Sequence, residues 1–258
     1  MADRLFALDG KTALVTGGGT GIGAMIADGL VRRGVRTYIT GRAPGRVARA
    51  AEELSSTGGS CIGLVADLAG PDGAPALARD IAAREEQLDI LVNNAGASAP
   101  GSLAETQIED WDLVLDVNLR AAFFLTRELL PLLRAAAREE DPARVINIGS
   151  IGGLHVPNWE AHAYGASKAA LHHLTRSLAR ALGGDRITVN AIAPGPFPSG
   201  LTDTNSEAVR KSVATYIPLG RPGTADDVEG TVTFLASRAG AYVNGHVLPL
   251  DGGYIAAL

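Results

Sequence analysis

The chain has 258 residues, 46% of them hydrophobic and 20% charged, which is enough apolar material for a substantial core and too much for a disordered polymer. A net charge of −5 without a basic run argues against a nucleic-acid surface. No stretch reaches the roughly 18 apolar residues of a membrane helix, and residues 1–11 lack the apolar core of a signal peptide. The single cysteine, Cys61, cannot form an intrachain disulfide, fits a reducing cytoplasm and reads as a core residue.

Short β-rich apolar runs alternate with longer helical ones. Strand one is expected at residues 12–16, followed by a helix at 21–33. Strand two (36–40) precedes a helix at 46–56, and strand three (61–65) a helix at 72–86. Strand four (90–93) is followed by two helical stretches, 108–118 and 121–140. Strand five (144–148) leads to a long helix at 164–182, and strand six (187–193) to helices at 209–216 and 225–237. Strand seven is expected at 247–250. Strands separated by helices of this length imply parallel pairing with right-handed crossovers. The expected fold is a single α/β domain of the doubly wound Rossmann type. Its seven-stranded parallel sheet runs in order 3-2-1-4-5-6-7, with helices on both faces. Residues 195–205, rich in Pro, Gly, Ser and Thr, read either as a lid over a site or as a plain surface loop.

Thr16-Gly17-Gly18-Gly19-Thr20-Gly21-Ile22-Gly23 links the first strand to the first helix. Glycines there let the backbone approach a pyrophosphate seated at the helix N-terminus, so Gly17, Gly19, Thr20, Gly21, Ile22 and Gly23 are candidate cofactor contacts. Strand two ends at Thr40-Gly41-Arg42. An acid at that tip would bind the ribose of NAD; Arg42 suits a 2′-phosphate instead, so NADP(H) is expected over NAD(H). Arg46 either assists or simply opens the next helix. Asp67-Leu68 follows strand three, where a carboxylate can accept from the adenine amino group. Asn93-Asn94-Ala95-Gly96 follows strand four, where small residues pass close to a ribose. Tyr164 and Lys168 lie four apart on the long helix, about 6 Å along its axis. An ammonium beside a phenol lowers the phenol pKa, so the pair is expected to trade a proton with an alcohol or ketone near neutral pH.

Taken together, these residues resemble the short-chain dehydrogenase/reductase family, in its branch of roughly 250 residues, close to the 258 here. The similarity runs over essentially the whole chain. It comprises Thr16-Gly17-x-x-x-Gly21-x-Gly23, Asp67, Asn93 to Gly96, Asn118, Ser150, Tyr164-x-x-x-Lys168, Pro194-Gly195 and Asp251-Gly252-Gly253. The resemblance implies that Tyr164 is the general acid and that Lys168 lowers its pKa and binds the nicotinamide ribose. It implies that Ser150 hydrogen-bonds the substrate oxygen and that Asn118 holds a water connecting Lys168 to solvent. It also implies cofactor contacts from Asp67, Leu68, Asn94, Ala95 and Gly96, from Tyr164 and Lys168, and from Pro194, Gly195, Phe197 and Ser199. A threonine is usual where Ser199 stands, and Phe197 would offer backbone groups to the carboxamide.

Within the family, residues 143–150, 194–199 and 130–134 are similar to 3-ketoacyl reductases, particularly those of the rhamnolipid-pathway type. That implies a β-ketoacyl thioester or related β-keto substrate, reduced to a secondary alcohol. A sugar or secondary-alcohol dehydrogenase working in the oxidative direction and a non-catalytic dinucleotide sensor stand as alternatives. The family also implies a homotetramer or homodimer built through the long helices and the C-terminal strand. Among other residues, His155, Trp159 and His162 lie where substrate could pass or are ordinary loop packing. His172 and His173 read as interface or surface side chains, Glu139-Glu140-Asp141 as a solvated helix end, and no spacing supports a metal site.

Overall fold

The computed structural model describes residues 4–56, 58–156, 160–199, 204 and 206–257. Seven strands form one sheet: β1 (Thr12–Val15), β2 (Arg36–Gly41), β3 (Cys61–Val65), β4 (Ile90–Asn93), β5 (Ala143–Ile148), β6 (Ile187–Pro194) and β7 (Val247–Leu250). Their order is β3-β2-β1-β4-β5-β6-β7, and every pairing is parallel, as expected. The order reverses between β1 and β4, and a crevice forms there beyond the strands' carboxyl ends.

Side chains alternate between two helical layers, as a pleated strand requires. Ala13, Val15, Ile39, Ile90, Val92, Ile146 and Ile192 pack on α1 (Gly21–Val31), α2 (Pro44–Ser55) and α9 (Ala225–Ala236). Leu14, Tyr38, Leu64, Leu91, Val145 and Val189 pack on α3 (Gly73–Ala82), α5 (Ala121–Glu128), α6 (Leu130–Ala136) and α7 (His162–Leu182). The remaining helices are α4 (Ile108–Leu115) and α8 (Glu207–Tyr216).

The helices depart from expectation at their ends. The stretch expected at residues 121–140 divides: α5 stops at Glu128, Pro131 opens α6, and α6 ends at Ala136. Proline fits a first helical turn, where its missing N–H costs nothing. Between α4 and α5 the chain makes a π-helical turn, Asp116–Arg120, in which the Ala121 N–H reaches back to the Asp116 carbonyl. Asn118 therefore sits inside a widened turn rather than ending a helix. The 139–141 segment is only partly solvated. Asp141 pairs with Lys11 at 2.5 Å and with the buried Arg144 at 3.0 Å. Arg144 also donates to the carbonyls of Leu235 at 3.0 Å and Ser237 at 2.9 Å, tying the start of β5 to the end of α9.

Candidate active site

The turn after β1 is locked to the loop after β4. The Thr16 hydroxyl donates to the Val92 carbonyl at 3.3 Å and accepts from the Asn94 and Ala95 N–H groups, each at 2.9 Å. The Asn94 amide donates back to the carbonyls of Thr16 at 2.8 Å and Gly17 at 3.2 Å. Gly17 and Gly21 have φ of 64° and 53°, the left-handed region that favours glycine. Gly23 faces the same turn, and a Cβ there would stand 2.3 Å from the Gly17 carbonyl oxygen. Gly18 is constrained from the other side, since its Cβ would meet Ile39 at 2.6 Å. Gly19 faces open space, with Ala50 the nearest atom at 3.7 Å. Thr20 is the extended N-cap of α1. No side chain caps that end, and its first turn holds no acid. Uncapped N–H groups and the positive helix end are left for an anion. Ile22 packs against the core.

Arg42 is exposed at the end of β2, beside a tip that carries no carboxylate, and Arg46 is exposed in the first turn of α2. Asp67 is exposed beyond β3 and accepts from the Ala69 N–H at 3.0 Å; Leu68 is buried, so only its backbone faces outward. Gly195 donates to the Leu250 carbonyl at 2.9 Å, running the end of β6 beside β7. The Phe197 ring is buried against Gly223. Pro194 is buried and Ser199 is half-buried. Of the 195–205 loop, residues 200–203 and 205 lie outside the described residues, as does Trp159.

The second cluster forms where β5, α7 and the π turn meet. Ser150 caps the short turn Ile151–Gly153, its hydroxyl accepting from the Gly152 N–H at 3.0 Å. The same hydroxyl hydrogen-bonds the Tyr164 phenol. Lys168 is buried; its Nζ donates to the Ile148 carbonyl at 2.8 Å and lies 5.6 Å from the Tyr164 ring centre. Gly96 joins the two clusters, since a Cβ there would stand 3.4 Å from Asn118 Oδ1 and 3.8 Å from Lys168 Nζ. The Asn118 side chain is fully engaged. Its Oδ1 accepts from the Ala97 N–H at 2.8 Å, and its Nδ2 donates to the Ala97 carbonyl at 3.0 Å and Ser167 Oγ at 2.9 Å. The Ser167 hydroxyl in turn donates to the Tyr164 carbonyl at 2.7 Å. Asn118 thus braces the site through its amide.

The electrostatics correct one expectation. Burial raises the Tyr164 pKa, and the Ser150 hydrogen bond only partly opposes this. Burial also lowers Lys168 to about 8, so the lysine is not a permanent cation. Both groups sit where a charge loses its hydration, and the ammonium donates to the Ile148 carbonyl.

The folded pKa of Lys168 lies below the ordinary 10.5, so between those values the unfolded chain holds more protons than the native protein. Stability therefore rises with pH above about 8, and the burial penalty is fully present below it. Cys61, pushed up to about 11 by burial, acts with the opposite sign above its ordinary 9.0. Denaturant titrations of the ligand-free protein should show a gain of roughly 1 kcal/mol from pH 8 to pH 9 that vanishes in Lys168→Met. Equal slopes in both proteins would contradict the lowered pKa.

His155 packs on Tyr254 with ring centres 5.1 Å apart, while His162 and His173 are exposed. His172 departs from the surface reading. It is 2% exposed and lies behind Ser150, a placement that the shared helical face of residues 164, 168 and 172 already signals.

Sheet order, switch-point crevice and glycine turn define a doubly wound dinucleotide-binding protein with a Ser-Tyr-Lys cluster at its mouth. A family profile described as enoyl-(acyl carrier protein) reductase matches residues 17–255, and the chain belongs to the short-chain dehydrogenase/reductase family of oxidoreductases. It is 45% identical over 251 residues to the rhamnolipids biosynthesis 3-oxoacyl-[acyl-carrier-protein] reductase of Pseudomonas aeruginosa, covering 96% of this chain and 98% of that protein. It is 38% identical over 256 residues to 2-dehydro-3-deoxy-D-gluconate 5-dehydrogenase of Bacillus subtilis, covering 97% and 96%. The solved Pseudomonas aeruginosa RhlG/NADP active-site complex superposes with a TM-score of 0.93 at 44% identity, covering 98% of this chain and 99% of that one.

Proposed function

We propose that the protein is an NADP(H)-dependent reductase that converts a β-ketoacyl thioester, or a related β-keto compound, to the secondary alcohol. One domain over residues 1–258 carries both cofactor binding and chemistry in this reading. The observation that carries it is the hydrogen-bonded Ser150–Tyr164 pair beside buried Lys168, one residue-width from Gly96. The glycine turn and uncapped α1 end fit a dinucleotide pyrophosphate. Arg42, at a strand tip without a carboxylate, supports a 2′-phosphate and hence NADP(H) over NAD(H). The bound nicotinamide would supply the hydride. Tyr164 gives its proton to the carbonyl oxygen, and Ser150 donates a hydrogen bond to the same oxygen. Lys168, 5.6 Å from the Tyr164 ring centre, would hold the nicotinamide ribose hydroxyls. The names of two similar proteins, one a 3-oxoacyl reductase and one an NADP complex, support the substrate and cofactor.

The lone, buried Cys61 and the absence, among the described residues, of a helix long and apolar enough to cross a membrane are compatible with a cytoplasmic protein. Exposed Leu103, Ile108 and Phe123 around α4 and α5 support a homotetramer or homodimer.

The deciding experiment follows NADPH oxidation across acetoacetyl and longer β-ketoacyl thioesters, the matching enoyl thioesters, simple ketones and keto sugar acids. The β-ketoacyl thioesters should give the highest kcat/KM, at least about tenfold above the other classes. Preference for a sugar acid would favour the dehydrogenase reading supported by the Bacillus relative. With the preferred substrate, Arg42→Ala should cut the NADPH-over-NADH ratio by about tenfold or more; an unchanged ratio would remove Arg42 from cofactor choice.

A further inference from the structure

The face of α7 that presents Tyr164 and Lys168 carries a third polar side chain. His172 lies four residues past Lys168, on the same side of the helix. Its Nε2 accepts the backbone N–H of Ser150 at 3.5 Å, a long bond but the one partner that N–H has among the described residues. The ring is wedged between two glycines that flank the serine corner. A Cβ on Gly149 would stand 2.1 Å from Nε2, and one on Gly153 2.9 Å from Cε1. Both glycines thus make room for this imidazole.

The His172 ring is buried and also hydrogen-bonds the Gly153 backbone. A leucine would fill the same space but make neither hydrogen bond, so packing alone is a poor reason for histidine here. Burial pushes the His172 pKa down to about 4; the Gly153 backbone pulls the other way, and the charges of Lys168 and Arg176 add to the lowering. The ring is therefore neutral near pH 7, and Nε2 is available to accept.

We propose that His172 is a positioning residue that fixes the Ser150 backbone and thereby aims the Ser150 hydroxyl at Tyr164. This rests on the reading of Ser150 as a donor to the substrate oxygen. The serine corner is then held at two points, by the Gly152 N–H at its hydroxyl and by His172 at its amide. A misaimed donor weakens transition-state stabilisation more than cofactor binding, so its loss appears in kcat.

The test compares the NADPH-loaded wild type with His172→Leu, His172→Gln, Ser150→Ala and the His172→Leu/Ser150→Ala double variant. His172→Leu should lower kcat about tenfold with the NADPH Kd within about twofold. His172→Gln, whose Oε1 can take the place of Nε2, should recover most of that loss. In the Ser150→Ala background, His172→Leu should have no further effect, because it acts through Ser150. Unchanged kcat in His172→Leu, equal losses in the Leu and Gln variants, or independent losses in the double variant would each overturn the proposal. His172→Met takes the place of the Leu variant in every arm if the latter does not fold. Unchanged turnover in Ser150→Ala would instead overturn the reading of Ser150, and this proposal with it. Lost turnover in Ser150→Ala beside an unaffected His172→Leu overturns the proposal alone.

Discussion

Tyr164→Phe should lower kcat by about a thousandfold and leave the NADPH Kd within about twofold. The substitution removes one oxygen and keeps the ring, so the packing of α7 is unchanged. What disappears is the proton donor hydrogen-bonded to Ser150. Burial raises the Tyr164 pKa in the ligand-free protein, which keeps the phenol protonated at neutral pH, the state a reduction needs. The same shift would hinder a base working in the oxidative direction. Steady-state turnover and a fluorescence titration of NADPH on one preparation give both numbers. A kcat within about tenfold of wild type would show that another group delivers the proton.

Gly23→Ala should abolish cofactor binding, weakening NADPH affinity by about a hundredfold or more, and should destabilise the fold by about 1–3 kcal/mol. The new methyl group would lie 2.3 Å from the Gly17 carbonyl oxygen and 2.4 Å from the Asn94 amide nitrogen. Neither neighbour can yield, because the Asn94 amide is bonded to the Thr16 and Gly17 carbonyls and its backbone to the Thr16 hydroxyl. Gly19→Ala is the natural control. Its methyl group would meet nothing closer than 3.7 Å, so stability should be unchanged and any loss of affinity comes from the cofactor itself. Thermal unfolding and NADPH titration of the two variants should separate cleanly; equal effects would mean that the glycine turn is softer than its contacts imply.

The strands were legible because each is a compact apolar run and all but the last are followed by helical runs. β3, β4 and β7 fall where the residues place them. Helix ends were harder to read, since they depend on local geometry that periodicity does not carry. Pro131 marked the break between α5 and α6, yet the apolar pattern runs through it from Leu125 to Leu133. The π turn leaves no trace in composition. Within the site, residues 118, 150, 164 and 168 could be picked out from the sequence, and the structure brings them together. The sign of the Tyr164 shift was not legible, because it depends on how much water each group loses and on where Nζ points. His172 was hidden by its neighbour: a His-His pair looks like a surface feature until the helix is turned and one ring faces inward. The burial of Arg144 was not legible either, because it depends on Asp141 and on the carbonyls of Leu235 and Ser237.

The π turn at Asp116–Arg120 spends one residue more than an α-helix would need to cover the same rise. A chain one residue shorter there could run α4 into α5 as one regular helix, with Val114 and Leu125 still facing inward. The surplus residue therefore adds little to the core. It swings the Asn118 amide onto Ala97 and Ser167, the two attachments that couple the loop beside the dinucleotide crevice to the helix bearing Tyr164. In this protein, an irregularity that a stability calculation would count as waste is the hinge-pin joining cofactor cradle to proton donor. An effort to regularise the helix for thermal robustness would gain a few hydrogen bonds and lose the alignment between them.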